Sequence, residues 1–100
     1  MAGFDVDAID DVIHGRLRLG IMAYLAHAEA ADFNTLKAAL KTTQGNLSVH
    51  LRKLEEAGYI AIDKSFLNRK PLTRARLTPS GAKAFAAYLD AIAKLVERRG

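Results

Sequence analysis

A chain of 100 residues, 50% hydrophobic and 26% charged, has the composition of one folded domain around one core, with no room for a separate catalytic or ligand-binding unit. It contains no cysteine, which excludes disulfides, thiolate metal ligands and cysteine nucleophiles. The net charge of +4 is unevenly spread: residues 1–40 hold three basic and six acidic side chains, residues 41–77 eight and three, residues 78–100 four and two. The middle of the chain is the electropositive part and the place to look for an anionic partner.

Met1 to Asp11 carries acidic residues and no apolar run, the pattern of neither a signal peptide nor a membrane segment, so the expectation is a cytoplasmic protein with no membrane association. No repeat or low-complexity linker divides the chain, and residues 1–100 read as a single domain. From Val6 to Ala28 apolar residues recur at helical spacing, with His14-Gly15 as a break between a short and a longer helix; residues 7–28 are the N-terminal helical part. A short extended piece fits near Ala31 to Phe33. Asn34 to Leu40 reads as a two-turn helix with Asn34 as its N-cap and Phe33 as a hydrophobic staple. Thr43 then caps a third helix that runs to Ala57, where Gly58 supplies the left-handed residue that ends it, so residues 34–57 form a helix-turn-helix across Lys41-Thr42. Tyr59 to Phe66 alternates like a strand, Leu67 to Pro71 reads as a turn and Thr73 to Leu77 as the returning strand, making residues 59–77 a hairpin. Thr78-Pro79 opens a last helix over residues 79–98. The predicted fold is mainly α with a small β-hairpin wing, a winged helix-turn-helix.

On the third helix, Leu47, Leu51 and Leu54 fall within about 60° of arc and face the core. The opposite face presents Asn46, Val49, Arg52 and Lys53, flanked by Ser48 and His50, with Thr43 and Gln44 at the N-terminal tip. Amides pair with adenine, arginine with guanine, hydroxyls with bases or phosphates, and valine packs on a thymine methyl; these are groove-reading side chains. Any solvated helix has a polar face, so the assignment rests on context: a short helix and a tight turn precede this one. Gly45 fits either close backbone approach to DNA or simply a relaxed first turn.

The hairpin adds Lys64, Arg69, Lys70, Arg74 and Arg76 within thirteen residues, with Asp63 as the one nearby acid. Phosphate contact is the natural use, with Arg69 and Lys70 at the tip on the backbone or in a narrow minor groove. Charged turns also serve solubility, and a wing of this kind can serve a protein-interaction module that binds an acidic partner, or RNA. Acids or an apolar patch on the third helix would favour the adaptor reading, and aromatic stacking platforms RNA. Asn46, Ser48, Arg52 and Lys53 favour double-stranded DNA.

His14, His27 and His50 sit in three different elements without carboxylates at ligand spacing, so no metal and no cofactor is expected. His27 suits the C-terminal end of the first helix, and Asp7, Asp10 and Asp11 suit a helix start, both through the helix dipole. No catalytic constellation is recognisable and no enzyme activity is expected. On the last helix Phe85, Leu89, Ile92 and Val96 form one apolar stripe, assigned to the core. Tyr88, Ala91 and Leu95 form a second, assigned with Val6 and Ile9 to a two-fold dimer interface.

The run Phe33-Asn34-Thr35-Leu36-Lys37, the stretch Gly45 to Ile60, Lys64-Ser65-Phe66, Arg69-Lys70-Pro71 and Leu77-Thr78-Pro79-Ser80-Gly81 together resemble the compact, single-domain branch of the MarR/ArsR-type winged-helix transcriptional regulators. Ile13-His14, Arg18-Leu19 and Ile21-Met22 resemble the first helix of that branch. Asn68 stands where a wing-tip glycine is usual and Leu72 where a second basic residue is usual. The resemblance implies a homodimeric regulator that binds double-stranded DNA, with Gln44, Asn46, Ser48, His50 and Arg52 on the reading helix and Arg69 and Lys70 on the wing. It specifies neither the operator nor a small-molecule effector.

Overall fold

The computed structural model describes residues 5–97, so Arg98, the expected end of the last helix, lies outside the described residues. A single 3-10 turn, Val6–Ala8, precedes α1 (Arg16–Ala28), β1 (Ala30–Asp32), α2 (Phe33–Ala39), α3 (Gln44–Glu56), β2 (Ile60–Leu67), β3 (Lys70–Leu77) and α4 (Pro79–Val96). This is the winged-helix order. The N-terminal pair of helices expected from periodicity is therefore one turn and one helix. Asp10 explains the difference: its Oδ1 accepts from the backbone N–H groups of Val12 and Ile13, closing a turn and driving Ile13 fully into the core.

The cap of α2 also moves. Asp32, delivered by β1 in extended geometry, accepts from the Thr35 N–H at 2.7 Å, so Asp32 and not Asn34 starts the helix, and Phe33 is its first residue. That bond holds the Asp32 carboxyl below the usual aspartate range, with Arg74 adding to the effect. A folded-state pKa below the unfolded one means stability that is present above the ordinary aspartate range and lost as pH falls below it. Asp32→Ala is expected to cost about 1 kcal/mol near neutral pH, whereas Asp32→Asn keeps the cap and flattens the acid limb; urea unfolding at pH 7 and pH 3 checks both.

The sheet has three antiparallel strands in the order β1-β3-β2. The hairpin pairs Ile60 with Leu77 through Leu67 with Lys70 without interruption, leaving only Asn68 and Arg69 in the turn. Both residues take positive φ, 52° and 69°, as a two-residue hairpin turn requires. The five-residue turn expected from Leu67 to Pro71 is thus shorter. Pro71 fits in a strand because the flanking pair Leu67–Lys70 exchanges the hydrogen bonds and the next pair, Phe66–Pro71, does not, so no ladder bond is lost.

The core gathers Ile21, Met22 and Leu25 of α1, Leu36 of α2, Leu47, Leu51 and Leu54 of α3, Ile60 of β2 and Ala75 of β3, closed by Phe85 and Tyr88 of α4. Here the two stripes of α4 divide differently: Phe85 and Ile92 of the first stay with the core and Tyr88 of the second joins them. Tyr88 is 3% exposed, with its hydroxyl 2.9 Å from His14 Nδ1, whereas Leu89 is 49% and Val96 70% exposed. Helical periodicity shows that two stripes exist, but which of their residues turn inward follows from where α4 crosses the domain. That crossing is set at Gly81, which lies against the Tyr59 backbone.

Candidate nucleic-acid interface

Thr43 caps α3 by accepting from the Asn46 N–H at 3.2 Å, and Gly58, at φ 81°, ends the chain's path beyond Ala57, both as the sequence implies. Lys41, also at positive φ, makes the tight connection from α2. Leu47, Leu51 and Leu54 are buried, and this fixes the rotation of α3 about its axis. Gln44, Asn46, Val49, Arg52 and Lys53 are consequently exposed, as is Thr43 at the tip.

The flanks of the helix differ. Ser48 is half-buried and, with Gln44, forms one wall of a cleft of about 390 Å³; Lys64 and Thr73 of the hairpin form the other, and Asp32 to Asn34 at the start of α2 closes it. Strand alternation explains the pairing: Lys64 shares a face with Ile60 and Ile62, and that face turns towards α3. On the opposite flank, His50 Nδ1 lies 3.2 Å from Arg18 Nη1, while Arg18 Nε donates to the Val12 carbonyl at 2.6 Å. Arginine only donates, so His50 Nδ1 accepts and the ring proton sits on Nε2. Partial burial, then Arg18, then Lys53 depress the imidazole pKa, which keeps His50 neutral at pH 7.

The hairpin cations do not act as one group. Lys64 faces α3, and Arg69 and Lys70 stand exposed at the turn. Arg74 is set apart on the other face of the hairpin, in register with Asp63 on β2 and Asp32 on β1. Arg76 shares that face and is ion-paired with Asp63 at 3.1 Å. The expected grouping of Arg74 with Lys64 is thus not formed: Lys64 pairs with Thr73, and the residue after Thr73 in the strand points to the opposite face.

Two residues of the site were missed in the sequence. Arg18 lies 32 positions from His50, with no local spacing to link them. Tyr59 donates through its hydroxyl to Asp10 Oδ2, tying the root of the hairpin to the N-terminal turn. Thr78 completes that root: its Oγ1 donates to the Gly58 carbonyl and accepts from the Gly81 N–H, and its own N–H donates to the Tyr59 carbonyl. The end of α3, the start of the hairpin and the start of α4 are thereby fastened at one point.

Among the described residues no helix is long and apolar enough to cross a membrane. Of the residues called interfacial, Val6 is exposed and Ile9, Ala91 and Leu95 are half-buried, while Tyr88 belongs to the core and is unavailable to a second subunit.

The chain is 37% identical over 84 residues to an uncharacterised protein of Methanocaldococcus jannaschii, a match that spans 84% of this chain and 91% of that one. Its fold is similar to that of a transcriptional regulator homologue from Pyrococcus horikoshii, with a TM-score of 0.80, 29% identity and coverage of 85% and 84% of the two chains. A MarR-family transcriptional regulator from Silicibacter pomeroyi superposes with a TM-score of 0.62 over 84% of this chain and 53% of its own; at 20% identity that likeness is one of fold alone. The family of winged helix DNA-binding domains matches residues 17–96, a stretch that holds the helix-turn-helix, the hairpin and the stitched root between them. With α2, α3, the hairpin and α4 all inside that match, this chain belongs to the winged helix DNA-binding domain family.

Proposed function

We propose that the protein is a homodimeric transcriptional regulator that binds double-stranded DNA in a sequence-specific manner, with α3 in the major groove and the hairpin wing on the backbone or in the adjacent minor groove. The observation that carries this reading is the cleft shared by α3 and the wing. Gln44 and Ser48 on one wall and Lys64 and Thr73 on the other present donors and one cation towards a single volume, as a sugar-phosphate strand passing from the reading helix to the wing requires, while the Asp32 carboxylate at the closed end is engaged by the Thr35 N–H. Asn46, Val49, Arg52 and Lys53 are left exposed for base edges and phosphates. The similarity to the transcriptional regulator homologue from Pyrococcus horikoshii supports the regulatory role. Selection of bound duplexes from a random pool tests the proposal: enrichment of a palindrome with half-sites about 34 Å apart is expected, and an unenriched pool would overturn it.

The dimer interface is proposed around the exposed stripe of α4, Leu89 and Val96, together with Val6 of the N-terminal turn that packs beside this helix. An apolar strip of that kind is covered most economically by its own two-fold copy. Light scattering is expected to give a dimer for the native chain and a monomer for the Leu89→Glu, Val96→Glu variant. A native monomer at high micromolar concentration would refute the interface.

A further inference from the structure

Phe66 and its neighbour Leu67 are exposed large apolar residues, 75% and 57% respectively, at the far end of the hairpin, beside the cations of its turn. An aromatic ring so placed has no role in the fold. Phe66 lies on the same face as Lys64, the face turned towards α3, and stands opposite Pro71 in a non-hydrogen-bonded pair, where side chains come closest. At roughly 3.3 Å per residue it stands about 20 Å beyond Ile60, the buried residue of β2 at the hairpin root. Arg69 and Lys70 flank it across the turn, and Asp63, the one acid of the hairpin, is engaged by Arg76 on the other face.

Resting on the DNA-binding reading above, we infer that Phe66, backed by Pro71, is an apolar wedge that the wing inserts at a base step of the minor groove, kinking the duplex. Whatever covers this ring must accept an aromatic surface and at the same time neutralise Lys64, Arg69 and Lys70. A base step between two phosphate strands does both, because the ring stacks on an unstacked base while the cations meet the groove's negative potential. Proline opposite the ring stiffens the strand that has to push. The wedge opens the step on its minor-groove side, so the duplex bends towards the major groove of that step, away from the wing tip. Flexible TA and CA/TG steps are the ones that yield.

The test uses the full chain and a selected duplex, end-labelled for energy transfer and carrying 2-aminopurine at the steps flanking the half-sites. The native protein is expected to bend the duplex by about 20–90° and to raise 2-aminopurine fluorescence as the step unstacks. Phe66→Ala, which keeps its melting temperature because the ring is solvated, is expected to bind roughly tenfold or more weakly and to lose both signals. Phe66→Trp should restore them, whereas Arg69→Gly should weaken binding yet leave the bend of the saturated complex intact. Tight binding without a bend or a 2-aminopurine signal, or an unchanged bend in Phe66→Ala, would overturn the wedge and leave the DNA reading standing. Failure of the native chain to bind duplex even at low salt would overturn both, and a Phe66-dependent affinity for an acidic protein would then explain the tip.

Discussion

Gly81→Ala is expected to cost about 3 kcal/mol or more of folding stability, the largest effect of a methyl group added at any glycine among the described residues. A Cβ on Gly81 would lie 1.9 Å from the Tyr59 carbonyl oxygen and 2.7 Å from its carbonyl carbon, so backbone and not a flexible side chain has to give way. That carbonyl already accepts from the Thr78 N–H, and Thr78 in turn holds Gly58 and Gly81. Pushing α4 away therefore breaks the root of the wing as well as the packing of Phe85 and Tyr88. For a domain of this size the expected fall in Tm is roughly 12–24 °C. Gly45→Ala is the control: nothing lies within 4 Å of its added Cβ, and a gain of about 0.5–1 kcal/mol is expected from helix propensity alone. Equal melting temperatures for Gly81→Ala and the native chain would show that α4 does not cross where described.

Arg69→Gly is expected to move stability and DNA binding in opposite directions. Arg69 sits at φ 69°, a conformation that costs a residue with a Cβ about 1 kcal/mol and glycine nothing. Glycine there should raise stability by about 0.5–1 kcal/mol, since part of the relief is offset by the freer unfolded chain. Binding should weaken for all sequences alike, and the slope of log K against log salt should shrink by about 0.9 for each phosphate contact removed, or about 1.8 per subunit when Lys70→Ala is added. Arg52→Ala behaves differently. If Arg52 reads a base edge as proposed, its loss is expected to weaken the preferred site by roughly 10- to 100-fold and relax base preference while leaving the salt slope almost unchanged. Fluorescence anisotropy titrations at several salt concentrations, with specific and scrambled duplexes, separate the two patterns. A steeper or unchanged salt slope in the tip variant would remove the wing from the interface.

The strained Arg69 also shows where sequence reading reaches its limit. Asn68 in place of the usual glycine was legible, because asparagine tolerates positive φ; that the next residue would be forced into the same region follows only from the strand register, which shortens the turn to two residues. The same holds for α4. Its two apolar stripes were visible in the periodicity, yet the packing of Tyr88 beside Phe85 and the exposure of Leu89 depend on the angle at which the helix leaves Gly81. Arg74 and Lys64, equivalent as charges, were separated by the alternation of the strand.

What the amino-acid sequence determined by itself was local. Thr43 and Gly58 mark the ends of α3 because a hydroxyl cap and a left-handed glycine act within a few residues, and Leu47, Leu51 and Leu54 set its buried face because helical period is intrinsic to the backbone. Thr78-Pro79 started α4 for the same reason. The tertiary structure alone decided which distant groups meet: Arg18 with His50, Tyr59 with Asp10, the Tyr59 carbonyl with Gly81, and Lys64 across a cleft from Ser48. Those contacts join elements far apart in the chain, so they depend on how the elements pack, and packing is settled by the summed burial of the whole core and not by any short stretch of residues.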